Sequence, residues 1–157
     1  MKRFAFVVPF FVISAVSAFI FLKDWQKSLF TCTADVEFTV RTNDSIIKLD
    51  GDYDFVIHKE NNASINVSGT FYIDNEKYEV NRIYLIDYSK NKGDEFYTMK
   101  TVDKKIHRTD STPTAIYEKH FLAQGIGVPF YIKIRHLNNN LYLIEGLKRS
   151  YFTCIRQ

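Results

Sequence analysis

The sequence predicts a mainly β fold, in which an N-terminal transmembrane helix is followed by a small antiparallel β-barrel or strongly curled sheet with one short helix. Three observations lead to this prediction: an uncharged stretch near the N-terminus, a series of short alternating runs of β-branched and aromatic residues, and two cysteines near the ends of that series. The 157 residues suffice for one domain with a short appendage.

The uncharged stretch covers residues 4–22. As a helix rising about 1.5 Å per residue, it would cross roughly the 30 Å hydrocarbon core of a bilayer. Lys2 and Arg3 precede it, and flanking cations favour the cytoplasmic side, so the rest of the chain is expected outside the cytoplasm. We expect these two residues, together with Lys23 and Trp25, to lie at the membrane interface.

This layout predicts four segments: a cytoplasmic stub at 1–3, a transmembrane anchor at 4–22, a juxtamembrane linker at 23–30 and an exported β-domain at 31–157. A cleavable signal peptide is the alternative, because Val16-Ser17-Ala18 resembles a small-residue cleavage site. The apolar run continues through residues 19–22, which favours an uncleaved anchor. Both interpretations export the domain.

The charge distribution argues against a nucleic-acid-binding role. The formal net charge is +3, but three of the cations, Lys2, Arg3 and Lys23, belong to the N-terminal segment. Residues 24–157 carry 18 basic and 18 acidic side chains, and proteins that bind nucleic acid normally present an excess of positive charge. We therefore expect no direct contact with nucleic acid.

Cys32 and Cys154 are the two cysteines of the chain. In an exported protein two cysteines most simply form one disulfide, and no Cys-x-x-Cys motif indicates redox catalysis. Since a disulfide requires Cα atoms within about 7 Å, the bridge would bring the first and last strands together. This predicted closeness favours a barrel.

The segment between the cysteines alternates as strands do, with Asn, Asp and Gly at the expected turns. Asp50-Gly51 is one such turn signal. One segment differs: Thr112-Pro113-Thr114 precedes an apolar-periodic stretch at 115–122, which predicts a short helix or irregular crossover with Thr112 as a candidate N-cap. The apolar residues of this segment are expected to form a lid on the core; they are Ile116, Phe121 and Leu122.

The sequence contains no motif that indicates catalysis. Asp50, Asp52 and Asp54 resemble the start of a calcium loop, but Phe55 and Asn61 occupy the positions where such a loop needs Gly and Glu. The four histidines show no metal-ligand spacing, and no nucleophile elbow or dinucleotide fingerprint is present. We therefore expect no enzyme activity and no catalytic, metal-binding or cofactor-binding residues.

Several short motifs together resemble the FidL-like family of enterobacterial inner-membrane proteins and, more distantly, accessory proteins of the PsaF and MyfF type. They follow the short basic start and the single anchor, and they are Phe30-Thr31-Cys32, Leu49-Asp50-Gly51, Ser68-Gly69-Thr70, Asn81-Arg82 and Tyr151-Phe152-Thr153-Cys154. The resemblance implies a single-pass protein of the bacterial inner membrane, with a cytoplasmic N-terminus and a periplasmic C-terminal domain. The Cys32–Cys154 pair fits it.

Such proteins are similar in role to ToxS, which pairs with a membrane-spanning winged-helix transcription regulator. The resemblance therefore implies an accessory protein that binds, stabilises or modulates a single-pass regulator of the ToxR or CadC kind through its periplasmic domain, and tunes the response to an external cue. Its partners would be this regulator and, through the N-terminal helix, the lipid bilayer.

Two other functions stay open. Abundant Phe and Tyr would let the domain hold a small apolar ligand, as a periplasmic lipid or small-molecule binding module of lipocalin-like shape. Alternatively, an exposed strand edge would suit an assembly factor or chaperone for exported subunits. A gene neighbour encoding a membrane-anchored winged helix would favour the accessory role.

Overall fold

The computed structural model describes residues 29–157 except 44, 91, 92, 94 and 123. The predicted anchor at 4–22 and the predicted interface residues Lys2, Arg3, Lys23 and Trp25 lie outside the described residues. Within the part of the chain that the structure describes, no helix is long and apolar enough to cross a membrane.

Eight antiparallel strands form a closed barrel in which each strand pairs with its neighbours in sequence and β8 pairs with β1. This confirms the predicted mainly β, antiparallel class, and the structure selects the barrel over an open curled sheet. The strands are β1 (Phe30–Arg41), β2 (Ile46–Ile57), β3 (Asn62–Ile73), β4 (Glu76–Ser89), β5 (Tyr97–Ile106), β6 (Pro129–Asn138), β7 (Leu141–Gly146) and β8 (Ser150–Arg156), and one helix, α1 (Thr114–Phe121), lies between β5 and β6.

The alternating sequence pattern places one face of each strand in the barrel interior. In β2 the buried side chains are those of Ile47, Leu49, Tyr53, Phe55 and Ile57. Polar and half-exposed residues alternate with them on the outer face. The core is therefore the barrel interior itself, filled from all sides by aliphatic and aromatic side chains.

The predicted turn at Asp50-Gly51 is wrong, because β2 runs through both residues without interruption. Gly51 lies opposite Gly69 of β3. A Cβ built on Gly51 would lie 2.2 Å from the Ser68 carbonyl oxygen, and Gly69 has a φ of +152°. The two glycines thus allow a close approach of two strand backbones, a role of glycine that sequence alone does not separate from a turn.

The predicted helix is present, but its predicted cap is wrong. Pro113 occupies the N-cap position and no side chain caps the helix. The Thr112 hydroxyl instead donates to the Glu79 carbonyl oxygen of β4 (2.9 Å), and Thr112 is buried. Its side chain ties the β5–α1 connection to the barrel wall and is therefore not free to cap the helix.

The barrel has two distinct ends. The β1–β2, β3–β4 and β7–β8 turns and the connection that carries α1 all lie at one end, which follows from the antiparallel order of the strands and which we call the helix rim. At the other end, the terminal rim, β1 begins and β8 ends, and the Gln157 amide donates to the Thr31 carbonyl oxygen (3.0 Å).

The β1–β8 seam has the shortest ladder of the barrel. Only Cys32 and Thr33 of β1 pair with β8, opposite Arg156 and Ile155. The disulfide between Cys32 and Cys154 crosses this seam, with Cα atoms 5.5 Å apart, and confirms the predicted bridge. Towards the helix rim the two strands have no ladder with each other in the described chain.

Candidate ligand-binding cavity

A cavity of about 310 Å³ lies inside the barrel. Its deeper wall comes from inward-facing residues of β2, β3, β5, β6 and β7, which are hydrophobic apart from Thr101 of β5. Representative members are Phe55, Ile65, Met99, Ile132 and Ile144. Cavities of small-molecule binding sites are of about 300–1,000 Å³ and mostly apolar, so this cavity belongs at the small end of that class.

The mouth of the cavity lies at the helix rim, where β1 and β8 are not paired. Thr39 and Val40 at the end of β1 line it on one side, and Arg149 and Ser150 at the start of β8 line it on the other. Of these, Thr39, Arg149 and Ser150 are exposed. The short β1–β8 ladder therefore determines where the interior meets solvent.

Helix α1 covers part of this end, as the sequence predicts. Phe121 and Leu122 line the cavity and Ile116 packs against the core. Tyr117 reaches furthest inward and is 1% exposed. Tyr117 is thus the most buried residue of the helix, although the sequence did not identify it. Its position next to Ile116 does not by itself indicate that its side chain points inward.

Three tyrosines meet where α1 packs into the barrel. The hydroxyls of Tyr53 and Tyr117 are 3.0 Å apart and hydrogen-bonded. The rings of Tyr84 and Tyr117 are nearly parallel, with centroids 6.4 Å apart, and all three residues line the cavity. This cluster fixes the helix against β2 and β4 by ring packing and one buried hydrogen bond.

Burial raises the pKa of Tyr53 to about 12, although the hydrogen bond with Tyr117 acts in the opposite direction. Burial also raises the pKa of Tyr84 to about 12 against the influence of the Arg82 guanidinium, and holds the pKa of Tyr117 well above its ordinary value. All three side chains are therefore neutral at physiological pH. The common cause is desolvation, which disfavours a negative charge at this depth.

A buried ion pair between Arg82 and Asp110 packs against the tyrosine cluster. Asp110, in the β5–α1 connection, accepts hydrogen bonds from Arg82 Nε (2.8 Å) and Arg82 Nη2 (2.5 Å), and both side chains are almost fully buried. The backbone amides of Asn81 and Thr112 donate to the same carboxylate. The guanidinium also lies 4.5 Å from the centre of the Tyr117 ring.

Burial alone would raise the pKa of Asp110, but the hydrogen bonds from Arg82 and from the two amides hold it below its ordinary value. Arg82 Nη1 and Tyr84 Oη are buried without a hydrogen-bond partner among the described residues. The sequence does not by itself identify this pair as a site. The available signal was a charged residue at an inward position of β4, between Val80 and Tyr84.

The other sequence candidates do not form a site. Asp54 accepts a hydrogen bond from Thr33 Oγ1 of the neighbouring strand β1, and Asp50 is within 3.9 Å of Lys48 on its own strand, so these carboxylates make contacts within the sheet. In the described part of the chain, no three His, Cys, Asp or Glu side chains are grouped to hold a metal ion. Of the histidines, His120 lines the cavity.

No curated protein matches this chain. A family model described as FidL-like putative membrane protein matches residues 69–154, which span β3 to β8 and include α1, Asp110 and Cys154. The match covers more than half of the chain, and the chain therefore belongs to this family.

Proposed function

We propose that this protein binds a small, mostly apolar molecule inside its barrel and is not an enzyme. The observation that carries the proposal is the 310 Å³ cavity, which has an apolar wall and a mouth at the helix rim. Domain interiors contain few voids larger than a water molecule, so a cavity of this size supports a binding role. The described lining includes one histidine and no carboxylate, which suits binding rather than acid–base catalysis.

The test uses the full-length chain, purified in lipid nanodiscs, with and without a substitution that fills the cavity. Ile65→Trp adds an indole to a side chain that lines the cavity, whereas Ile83→Trp adds one to an exposed position of β4. The fluorescence of the apolar dye N-phenylnaphthylamine in excess of that from empty nanodiscs should be lost in Ile65→Trp and kept in Ile83→Trp. Equal binding by both variants would contradict the proposal.

We also propose that residues 4–22 anchor the barrel in the bacterial inner membrane, with the N-terminus in the cytoplasm and residues 31–157 in the periplasm. The family description supports the membrane association, and the disulfide suits an oxidising compartment. Alkaline phosphatase fused after Gln157 should be active in cells, because it folds only outside the cytoplasm. The mass of the purified chain would reveal cleavage after residue 18.

A second proposed function is the accessory role: the barrel binds the periplasmic domain of a single-pass transcription regulator and modulates it. The observation that favours it is the pair of strand edges beyond the β1–β8 ladder, from Ala34 to Arg41 in β1 and from Ser150 to Cys154 in β8. An extended segment of a partner can add to such an edge by backbone hydrogen bonds. A ligand bound in the adjacent cavity would then lie next to the bound partner.

This role is tested by site-specific photo-crosslinking in intact membranes. A photo-reactive amino acid replaces exposed Asp35 or Thr153, which lie on the two strand edges, or exposed Lys77 of β4 as the control. Mass spectrometry should recover a single-pass DNA-binding protein from the edge positions and not from Lys77. Recovery of many unfolded exported proteins instead would favour an assembly factor.

A further inference from the structure

The charged and basic side chains that line the cavity include no acidic one. Among its described lining residues, Arg149 and His120 are the only basic side chains, and neither Asp nor Glu contributes. Both belong to the part of the cavity near the mouth: Arg149 precedes β8 and His120 lies in the last turn of α1. The described lining of the mouth therefore presents basic side chains and no acidic one.

Arg149 has its charge available. It is exposed and forms no ion pair within the described chain, unlike Arg82 and Arg135, which pair with Asp110 and Glu145. A backbone hydrogen bond from the Gly146 amide to the Arg149 carbonyl oxygen (2.8 Å) closes the β7–β8 turn and fixes the backbone from which this side chain projects. His120 adds a ring that can donate an N–H.

The interior, in contrast, disfavours a negative charge. Burial holds the Tyr53, Tyr84 and Tyr117 hydroxyls in their neutral form, and Arg82, a buried cation nearby, is already neutralised by Asp110. A ligand with an anionic group would therefore keep that group at the mouth and place its apolar part inside.

We propose that the ligand is an amphipathic anion whose apolar body fills the cavity and whose anionic group pairs with Arg149, beside His120, at the mouth. The inference rests on the proposed binding function and adds the chemical class and the orientation of the ligand. An uncharged molecule of the same shape would bind in the same cavity but would lose the interaction with Arg149.

The experiment compares two ligands of equal length, decanoate and decanol, on the full-length chain in nanodiscs. Affinities are measured by displacement of N-phenylnaphthylamine for the wild type, Arg149→Gln and Lys148→Gln. Lys148 is the matched control because it is exposed in the same turn, carries the same charge and does not line the cavity. The ratio of the decanoate affinity to the decanol affinity is compared between variants. This comparison cancels the partition of each ligand into lipid, which is the same for every variant.

Arg149→Gln should lower the preference for decanoate about two- to fivefold, as expected for a solvent-accessible ion pair, and Lys148→Gln should leave the preference unchanged. Thermal melting confirms that both variants are folded. If both ligands bind and Arg149→Gln does not change the ratio, or if both substitutions lower it equally, the inference is overturned and the binding function stands. If neither ligand displaces the dye from any variant, both the inference and the binding function are overturned.

Discussion

The two halves of the barrel are held together by different interactions. From β1 to β4 the strands form long ladders, running from Phe30–Ile57 to Arg41–Ile46 between β1 and β2 and over the whole of β3 with β4. From β5 to β8 the ladders are shorter, with four residues of each strand paired between β5 and β6 and two between β8 and β1. Side chains supplement the backbone in closing this half: the disulfide crosses the β1–β8 seam, and the Arg82–Asp110 pair joins the β5–α1 connection to β4.

This difference teaches that the regular half is determined by local alternation, whereas closure depends on a few residues far apart in sequence. Cys32 and Cys154 are separated by 122 positions, and Arg82 and Asp110 by 28. Substitutions at these contacts should therefore lower the free energy of unfolding more than substitutions at other polar contacts.

The largest effect is expected from removing the disulfide. The double substitution Cys32→Ala and Cys154→Ala should lower the free energy of unfolding by about 4–5 kcal/mol, because the unfolded chain regains the entropy of a very large loop. Chemical denaturation measures the loss. Hydrogen exchange should show β1 and β8 losing protection before β3 does, and a uniform loss across the barrel would argue against a special role of the seam.

The second effect is expected from breaking the buried ion pair. Asp110→Asn should lower the free energy of unfolding by about 3–4 kcal/mol, because it leaves the Arg82 guanidinium buried without an opposite charge. Glu95→Gln, in the more exposed pair with Lys133, is the control and should cost less than about 1 kcal/mol. Equal losses in denaturant titrations would show that burial does not strengthen the Arg82–Asp110 pair.

The ion pair also predicts a pH dependence. Because the folded state holds the pKa of Asp110 below its ordinary value, its contribution is complete at neutral pH, above the unfolded pKa. The contribution is lost as pH falls from the unfolded pKa through the folded one. The difference in stability between the wild type and Asp110→Asn should therefore shrink under acid conditions, and a difference that stays constant would contradict the assignment.

A smaller effect is expected where two long strands touch. Gly51→Ala should destabilise the barrel by about 2–3 kcal/mol, since the new Cβ would collide with the backbone of Ser68 and Gly69. Gly125→Ala is the control, because a Cβ there meets only Val128 Cγ2 at 3.9 Å. Thermal melts of the two variants would coincide if β2 and β3 could simply move apart.

The smallest effect is expected within the tyrosine cluster. Tyr53→Phe removes the hydrogen bond to Tyr117 and keeps the ring, so it should cost about 1 kcal/mol. Tyr117→Phe should cost a similar amount, and the double variant should cost less than the sum of the two. A double-mutant cycle measured by denaturation checks this coupling. Strict additivity would indicate that the two hydroxyls do not interact.

Much of the fold could be predicted from the sequence, because alternation and turn residues are local signals. The alternating runs predicted between the two cysteines are present as strands, and the helix after Pro113 is present too. The pattern is weakest in β5, where from Lys100 to Ile106 the outer face is charged and a bulge interrupts the register with β4.

The cavity could be anticipated only as a class, from the number of aromatic residues. Which residues line it depends on the register of eight strands and on where β1 leaves β8, and neither is encoded in a short window. Thr112 is another residue whose role a short window does not reveal. Its position before a helix indicates a cap, but its hydroxyl donates a hydrogen bond to the carbonyl oxygen of Glu79, 33 positions earlier.

The even number of strands fixes where the cavity mouth lies relative to the start of the barrel. Because β1 begins and β8 ends at the terminal rim, the cavity mouth at the helix rim lies at the opposite pole. A molecule entering the mouth would therefore approach the barrel from the end opposite Phe30. One continuous strand, β1, joins Phe30 at the terminal rim to Val40 in the mouth at the helix rim, so the two ends of the barrel share a single element.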